Sequence, residues 1–164
     1  MKNKIKDVFF DSLPVINIRT IDFNDSEELK KHKIKFPFQL ENDVCVTVIT
    51  TLSEHAFKID SGYIWNGADI PRFLWRILGS KTDNAFLTAS MVHDYLLENK
   101  KAILNYILNN SISPSEYRKL TSQIFGEILK RSGTNKIKAN TMSFTVDLYQ
   151  KFFNRKEWML CSPN

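Results

Sequence analysis

Cysteine is scarce in this sequence of 164 residues: Cys45 and Cys161 stand far apart, with neither CxxC spacing nor a disulfide-dense setting. That argues against a disulfide-stapled secreted domain and points to a reducing compartment, with Cys45 as a core residue of a strand. Long apolar runs are also missing, and none approaches the roughly 20 residues that span a bilayer. The first twenty residues carry lysines, but Asp7, Asp11 and Pro14 interrupt their apolar positions, unlike the core of a signal peptide. There is no internal repeat, low-complexity tract or linker. Nor does one sign of charge dominate: 23 Lys and Arg stand against 18 Asp and Glu, a formal +5. This balance permits attraction to nucleic acid, an anionic envelope or an acidic protein and compels none of them. The basic residues are scattered, with small clusters at Lys30-Lys31, Lys100-Lys101 and Arg155-Lys156, as on a solvated face. No nucleic-acid recognition module is visible.

What is present suits one domain with a proper core, at 43% hydrophobic and 25% charged residues. Residues 1–43 carry the weakest pattern, with a short strand expected at Val15–Ile18 and one or two helical turns at Asp25–Lys31. The β-branched run Val44–Thr51 reads as a strand. Phe57–Ile59 and Tyr63–Trp65 alternate around Asp60-Ser61-Gly62, the pattern of a hairpin or of two edge strands. From Pro71 the period becomes helical, through Leu78 and then from a cap at Thr82 or Asp83 to Leu97. Ser113-Pro114-Ser115-Glu116 is a capping box with proline at the first helical position, opening a helix to about Arg131 that Gly133 closes. A last helix is expected from Lys136 to Phe153. The whole reads as an α+β domain over residues 1–164: a small N-terminal antiparallel sheet or hairpins, then a bundle of about four helices.

Two segments concentrate polar chemistry. The first runs from Gly62 to Arg72 and holds Trp65, Asn66, Gly67, Asp69 and Pro71; the second is His93-Asp94, inside an apolar helix. Adjacent helix positions lie about 100° apart, so His93 and Asp94 diverge and do not easily form a dyad with each other. Either could serve a third object: a water, with His93 as general base, or a metal, which needs more ligands than these two. The alternative is that both tie helices and loops together, as buried polar groups must. Asp69 has a capping role available at the Pro71–Leu78 helix, while Arg72 offers a fork for a carboxylate or phosphate. No cofactor motif is present, and a divalent metal, if bound, would take His93 and Asp94.

His55, His93-Asp94 and Asp147 make a nominal H…HD…D set similar to that of metal-dependent phosphohydrolases. Those enzymes resemble all-helical bundles, whereas His55 falls in a β-like segment. The helix-borne His-Asp pair is also similar to that of secreted phospholipases A2, but the flanking cysteines and glycine-rich calcium loop are absent. Together, GxxWxGAxIPR over Gly62–Arg72 and HDYL over His93–Leu96 resemble the phage- and prophage-associated domain of unknown function family 1353, over residues 44 to 150. The resemblance implies a viral or prophage gene found among tail or lysis genes, with no established activity. This chain departs from the family's pattern in having Asp69 where Ser is typical, Ser122 where Asp is typical, and Asn66 where Asp is common. The first two exchanges imply that positions 69 and 122 face each other.

The expectation is therefore a polar keystone joining a β-rich half to a helical half, with Asp69, Arg72, His93, Asp94 and Ser122 in contact and Asn66 nearby. Two functions fit. One is an accessory protein that binds a host or virion protein, either a tail accessory or an inhibitor of a host defence component, through a surface near Phe153 and Trp158. The other is a small phage hydrolase of a cell-envelope or phosphate-containing substrate, with His93 as base, Asp94 and Asp69 orienting, and Arg72 clamping an anion. A sealed His93 fits the first and a solvent-reachable cleft the second. The expected location is the host cytoplasm when made, with virion association the alternative.

Overall fold

The β-branched run forms the axis of the strand-rich half. In a computed structural model, which describes residues 4–51, 54–67, 83–99 and 113–152, strand β4 (Val44–Thr50) alternates buried and half-buried residues along its whole length. Val44, Val46, Val48 and Thr50 face inward, the period-two pattern of a sheet with one packed face. Strands β1 (Ile5–Phe10) and β5 (Glu54–Ile59) pair with β4 antiparallel, in the order β1-β4-β5.

A second three-stranded sheet is built from shorter pieces. Strands β2 (Ile16–Ile18), β3 (Phe38–Leu40) and β6 (Ile64–Trp65) lie in the order β2-β3-β6, with Ile18 opposite Phe38 and Phe38 opposite Trp65. The Asp60-Ser61-Gly62 turn therefore joins two sheets: β5 and β6 are edge strands of different sheets and make no hairpin. Gly62 (φ +85°) supplies the left-handed residue that this turn needs. Between β2 and β3 lies helix α1 (Glu27–Lys35), longer than the one or two turns expected. Ser26 caps it, Glu27 and Glu28 occupy its first turn and lysines its last, so local electrostatics complement the helix dipole. None of its residues is buried.

The helical half follows its start and stop signals. Helix α2 (Asn84–Glu98) begins at Asp83, whose carboxylate accepts from the Ala85 amide. Helix α3 (Pro114–Arg131) opens on the full capping box, with the Ser113 hydroxyl accepting from the Glu116 amide and the Glu116 carboxylate accepting from the Ser113 amide. It closes with Gly133 at φ +87°, the Gly133 amide donating to Lys130 O and the Thr134 amide to Leu129 O. That pair of bonds is the Schellman motif. Helix α4 (Lys136–Phe152) packs on α3. The expected Pro71–Leu78 helix lies outside the described residues.

Strands and helices share one core. Val8, Val46, Val48, Ile59 and Trp65 join Phe86, Val92, Leu96, Phe125 and Ile128 in a single buried cluster, giving the α+β architecture. Helix α3 sits at its centre, touching β1, α2 and α4. At the sheet edge Arg131 forks onto both oxygens of Asp7, with its guanidinium 3.8 Å from the Phe9 ring centre. The hydrogen bond from Arg131 holds the Asp7 carboxyl below its ordinary range. A depressed folded-state value contributes stability above the unfolded pKa and loses it as the pH falls through the folded one. Asp7→Asn is thus expected to cost a small, constant amount of stability above about pH 5 and nothing in strong acid. Urea titrations of both proteins across the acid range check this, and a difference that grows on acidification contradicts it.

Candidate functional site

The polar segments converge where β6 meets the C-terminal half of α2, and an aromatic layer brings them together. Tyr63 stacks on Trp65 with ring centres 5.9 Å apart, and meets Tyr95 edge-on at 5.4 Å. Tyr95 in turn stacks on Phe57 of β5 at 5.9 Å and donates its hydroxyl proton to Lys58 O at 2.8 Å. Trp65 is buried, and its indole nitrogen donates to the Ser90 hydroxyl at 3.2 Å, which itself donates to Leu87 O at 2.9 Å. Gly67 (φ +78°) closes the approach: a Cβ there would sit 3.0 Å from the Phe38 ring. Trp65 and Gly67 are thus accounted for by packing, and Gly62 by its positive φ.

His93 lies on the inner side of α2, 2% exposed, with its ring 6.0 Å from that of Phe125. Its Nδ1 is 3.4 Å from Asp94 Oδ1. The two side chains therefore meet, where divergence was expected. Neighbouring helix positions point apart, so the contact is long, beyond the usual range for a strong hydrogen bond. Nε2 is buried without a hydrogen-bond partner among the described residues.

Asp94 and Glu98, four residues apart, share a helix face, and Tyr63 reaches them from the sheet. The Tyr63 hydroxyl donates to Glu98 Oε2 at 2.9 Å. Burial, followed by the negative charges of Glu98 and Asp94, pushes the phenol far above its ordinary pKa. It is therefore a neutral donor at neutral pH. Tyr63, Ser90 and Glu98 were not singled out from the sequence. The i, i+4 carboxylates were the available signal, but nothing in the sequence ties a tyrosine thirty-odd positions upstream to them.

Ser122 is buried on α3: its hydroxyl donates to Arg118 O at 3.1 Å, and its carbonyl accepts from the Ser143 hydroxyl of α4 at 2.6 Å. It lies one turn before Phe125, whose ring meets His93, while Gly126 faces Ser143 of α4. Asn66 is half-buried beside Gly67 at the end of β6. Asp69 and Arg72 lie outside the described residues, and so does the expected pairing of positions 69 and 122; Phe153 and Trp158 lie outside them too. His55 falls in β5, while Asp147 on α4 accepts from Arg118. The nominal H…HD…D residues are therefore on a strand and two helices of a mixed fold. Among the described residues, no three His, Cys, Asp or Glu side chains are grouped so as to hold a metal ion.

The sequence model of a family described as "Protein of unknown function (DUF1353)" matches residues 38–146. The chain belongs to this family. The matched span begins at β3 and ends within α4, so it takes in the aromatic layer, His93-Asp94 and Ser122. No curated protein and no solved structure matches the chain. Membership in DUF1353 thus carries no activity with it, and the chemistry rests on this chain's own residues. Among the described residues no helix is long and apolar enough to cross a membrane.

Proposed function

We propose that this DUF1353 protein is a phage- or prophage-encoded accessory protein that acts by binding a host or virion protein, with His93-Asp94 as part of its framework. The observation that carries the reading is the burial of His93 at 2% exposure, against Phe125 in the core. A general base has to come within hydrogen-bond reach of the proton it abstracts, directly or through one water. Exposed apolar residues lie elsewhere: Leu13, Phe23 and Ile34 in the N-terminal layer, and Ile137, Phe144 and Phe152 on α4. Surfaces of that kind mark contact sites for other macromolecules. On this reading the protein is made in the host cytoplasm and has no cofactor in its action.

One observation favours the hydrolase reading, in which His93 is the base and Asp94 orients it. A buried ring nitrogen without a partner among the described residues is a feature of catalytic groups as well as of water-filled sites.

Diethyl pyrocarbonate labelling separates the two. His32 is exposed and serves as the internal reference. His93 in the folded protein is expected to label at least about a hundredfold more slowly than His32, at the rate of opening. Labelling of His93 on the time scale of His32 means a reachable base and overturns the binding reading. In parallel, His93→Ala is expected to lower stability by roughly 1–2 kcal/mol through lost packing against Phe125. A variant that keeps full stability and loses its effect on the host points to a reactive site.

A further inference from the structure

Helix α4 carries a second, largely apolar face besides the one that packs on α3. Ala139, Met142, Val146 and Gln150 are buried on the side that packs against α3. At about 100° per residue, Ile137, Thr141, Phe144, Leu148 and Phe152 fall within an arc of about 80° on the opposite side. Ile137 is 78% exposed, Phe144 62% and Phe152 66%. An isolated exposed apolar residue needs no explanation, but Ile137, Phe144, the half-buried Leu148 and Phe152, spaced 7, 4 and 4 residues apart over four turns, form the stripe of a helix that expects another helix.

The charges around the seam say what kind of helix. Lys136, Lys138 and Lys151 border it, and none of them makes an ion pair with a described residue. Asp147 is the one acid of α4, and Arg118 of α3 already holds it. Among the described residues the rim is therefore positive and uncompensated. A second copy placed antiparallel would set Lys138 near Lys151 of the partner, and a parallel one would set each lysine against itself. Like charges at such positions cost stability. A lipid surface would need a wider apolar face, since Asn140 and Thr145 would be dragged into the headgroup boundary beside this narrow seam.

We propose that the outer face of α4 docks the apolar face of an acidic amphipathic helix supplied by another protein. This rests on the binding reading above and names the chemistry of the partner. Apolar contact at Phe144, in the middle of the seam, supplies the affinity. The lysine rim selects glutamate- and aspartate-flanked helices and speeds their encounter.

The test uses the full chain and two fluorescein-labelled peptides of about 21 residues, identical in a leucine seam and carrying glutamate or lysine at every flanking position. Fluorescence anisotropy at low salt is expected to show the glutamate peptide binding at least about tenfold more tightly than the lysine peptide, and Phe144→Glu weakening it at least about tenfold. Phe144 is exposed, so this variant keeps the wild-type melting curve, which circular dichroism verifies. A Lys136→Glu, Lys138→Glu, Lys151→Glu triple variant reverses the preference. The proposal is overturned by equal binding of both peptides, by no binding at about 100 µM, or by a Phe144→Glu variant that binds like the wild type. Self-association in sedimentation, or flotation with phosphatidylglycerol vesicles, overturns it equally if Phe144→Glu abolishes either one. Labelling of His93 decides the parent reading separately, so failure of the docking face and failure of that reading are distinguishable.

Discussion

Replacing Trp65 with alanine should lower the stability of the fold by about 3–5 kcal/mol, a large part of the 5–15 kcal/mol that a domain has. Trp65 is 1% exposed and sits in a two-residue strand, opposite Phe38 of β3, with Tyr63 stacked on it and Ser90 of α2 accepting its indole proton. So short a strand has few ladder bonds to hold it, and the indole fastens the second sheet to α2 together with Tyr63. Alanine leaves a cavity bounded by a β-strand pair and a helix, neither of which can collapse without losing its own contacts. Trp65→Phe keeps a ring at this position but loses the bond to Ser90, whose own proton still goes to Leu87 O, and part of the buried indole volume. Its cost should be roughly 1–2 kcal/mol. Urea unfolding followed by circular dichroism measures both, and a Trp65→Ala protein within about 1 kcal/mol of the wild type would show that the second sheet does not depend on this anchor.

Gly126→Leu is the other large effect, and here two principles oppose each other. Glycine inside a helix is worth about 1 kcal/mol less than alanine or leucine, so on propensity alone the change stabilises α3. Packing decides otherwise. A Cβ at position 126 would lie 2.8 Å from Ser143 Cβ and 3.1 Å from Ser143 Oγ on α4. Both Cβ atoms are bonded to their own backbones, so no rotamer relieves the overlap and the two helices must part. Parting strains the Ser143 hydroxyl bond to Ser122 O and the Arg118–Asp147 pair, which cross the same interface. Overpacking of this kind costs typically about 1–3 kcal/mol, and leucine should reach the upper end even after its propensity gain. Gly126→Ala should lose about 1 kcal/mol. A Ser143→Gly background removes the opposing Cβ and should recover most of the alanine penalty, a coupling that a double-mutant cycle isolates. If Gly126→Ala instead raises stability by the full propensity gain, the helices have room that this geometry denies.

Much of the secondary structure was legible because its causes are local. Asp83, Ser113 with Glu116, and Gly133 act on backbone groups within a few positions of themselves, so their roles follow from spacing alone. The β-branched run at Val44–Thr50 is similarly self-evident, and α4 carries its stripe in plain view. Strands β1 and β3 were missed because each is half of a long-range pairing: Phe10 meets Val46 and Phe38 meets Trp65 across the chain, β1 does not alternate cleanly, and the three residues of β3 are too few to carry a period. The site was half legible. His93 and Asp94 stood out as the polar pair of an apolar helix, and their burial was inferred from that helix. Tyr63 and Glu98 did not stand out, since their hydrogen bond exists only where β6 crosses α2. The bond from the Ser143 hydroxyl to Ser122 O was not legible either, because both flanks of α3 are packed and the sequence pattern does not say which flank meets which helix.

By itself, then, the sequence determined the α+β class, the ends of the capped helices, the β4 strand and the membership in DUF1353, all of which depend on residues a short distance apart or on a linear pattern. Tertiary structure alone decided that the Asp60–Gly62 turn divides two sheets, that Gly126 lets two helices touch, and that His93 is shut into the core. It also left Ile137, Phe144 and Phe152 of α4 exposed among lysines. These depend on which surfaces meet, and that is settled by the joint burial of segments far apart in the chain.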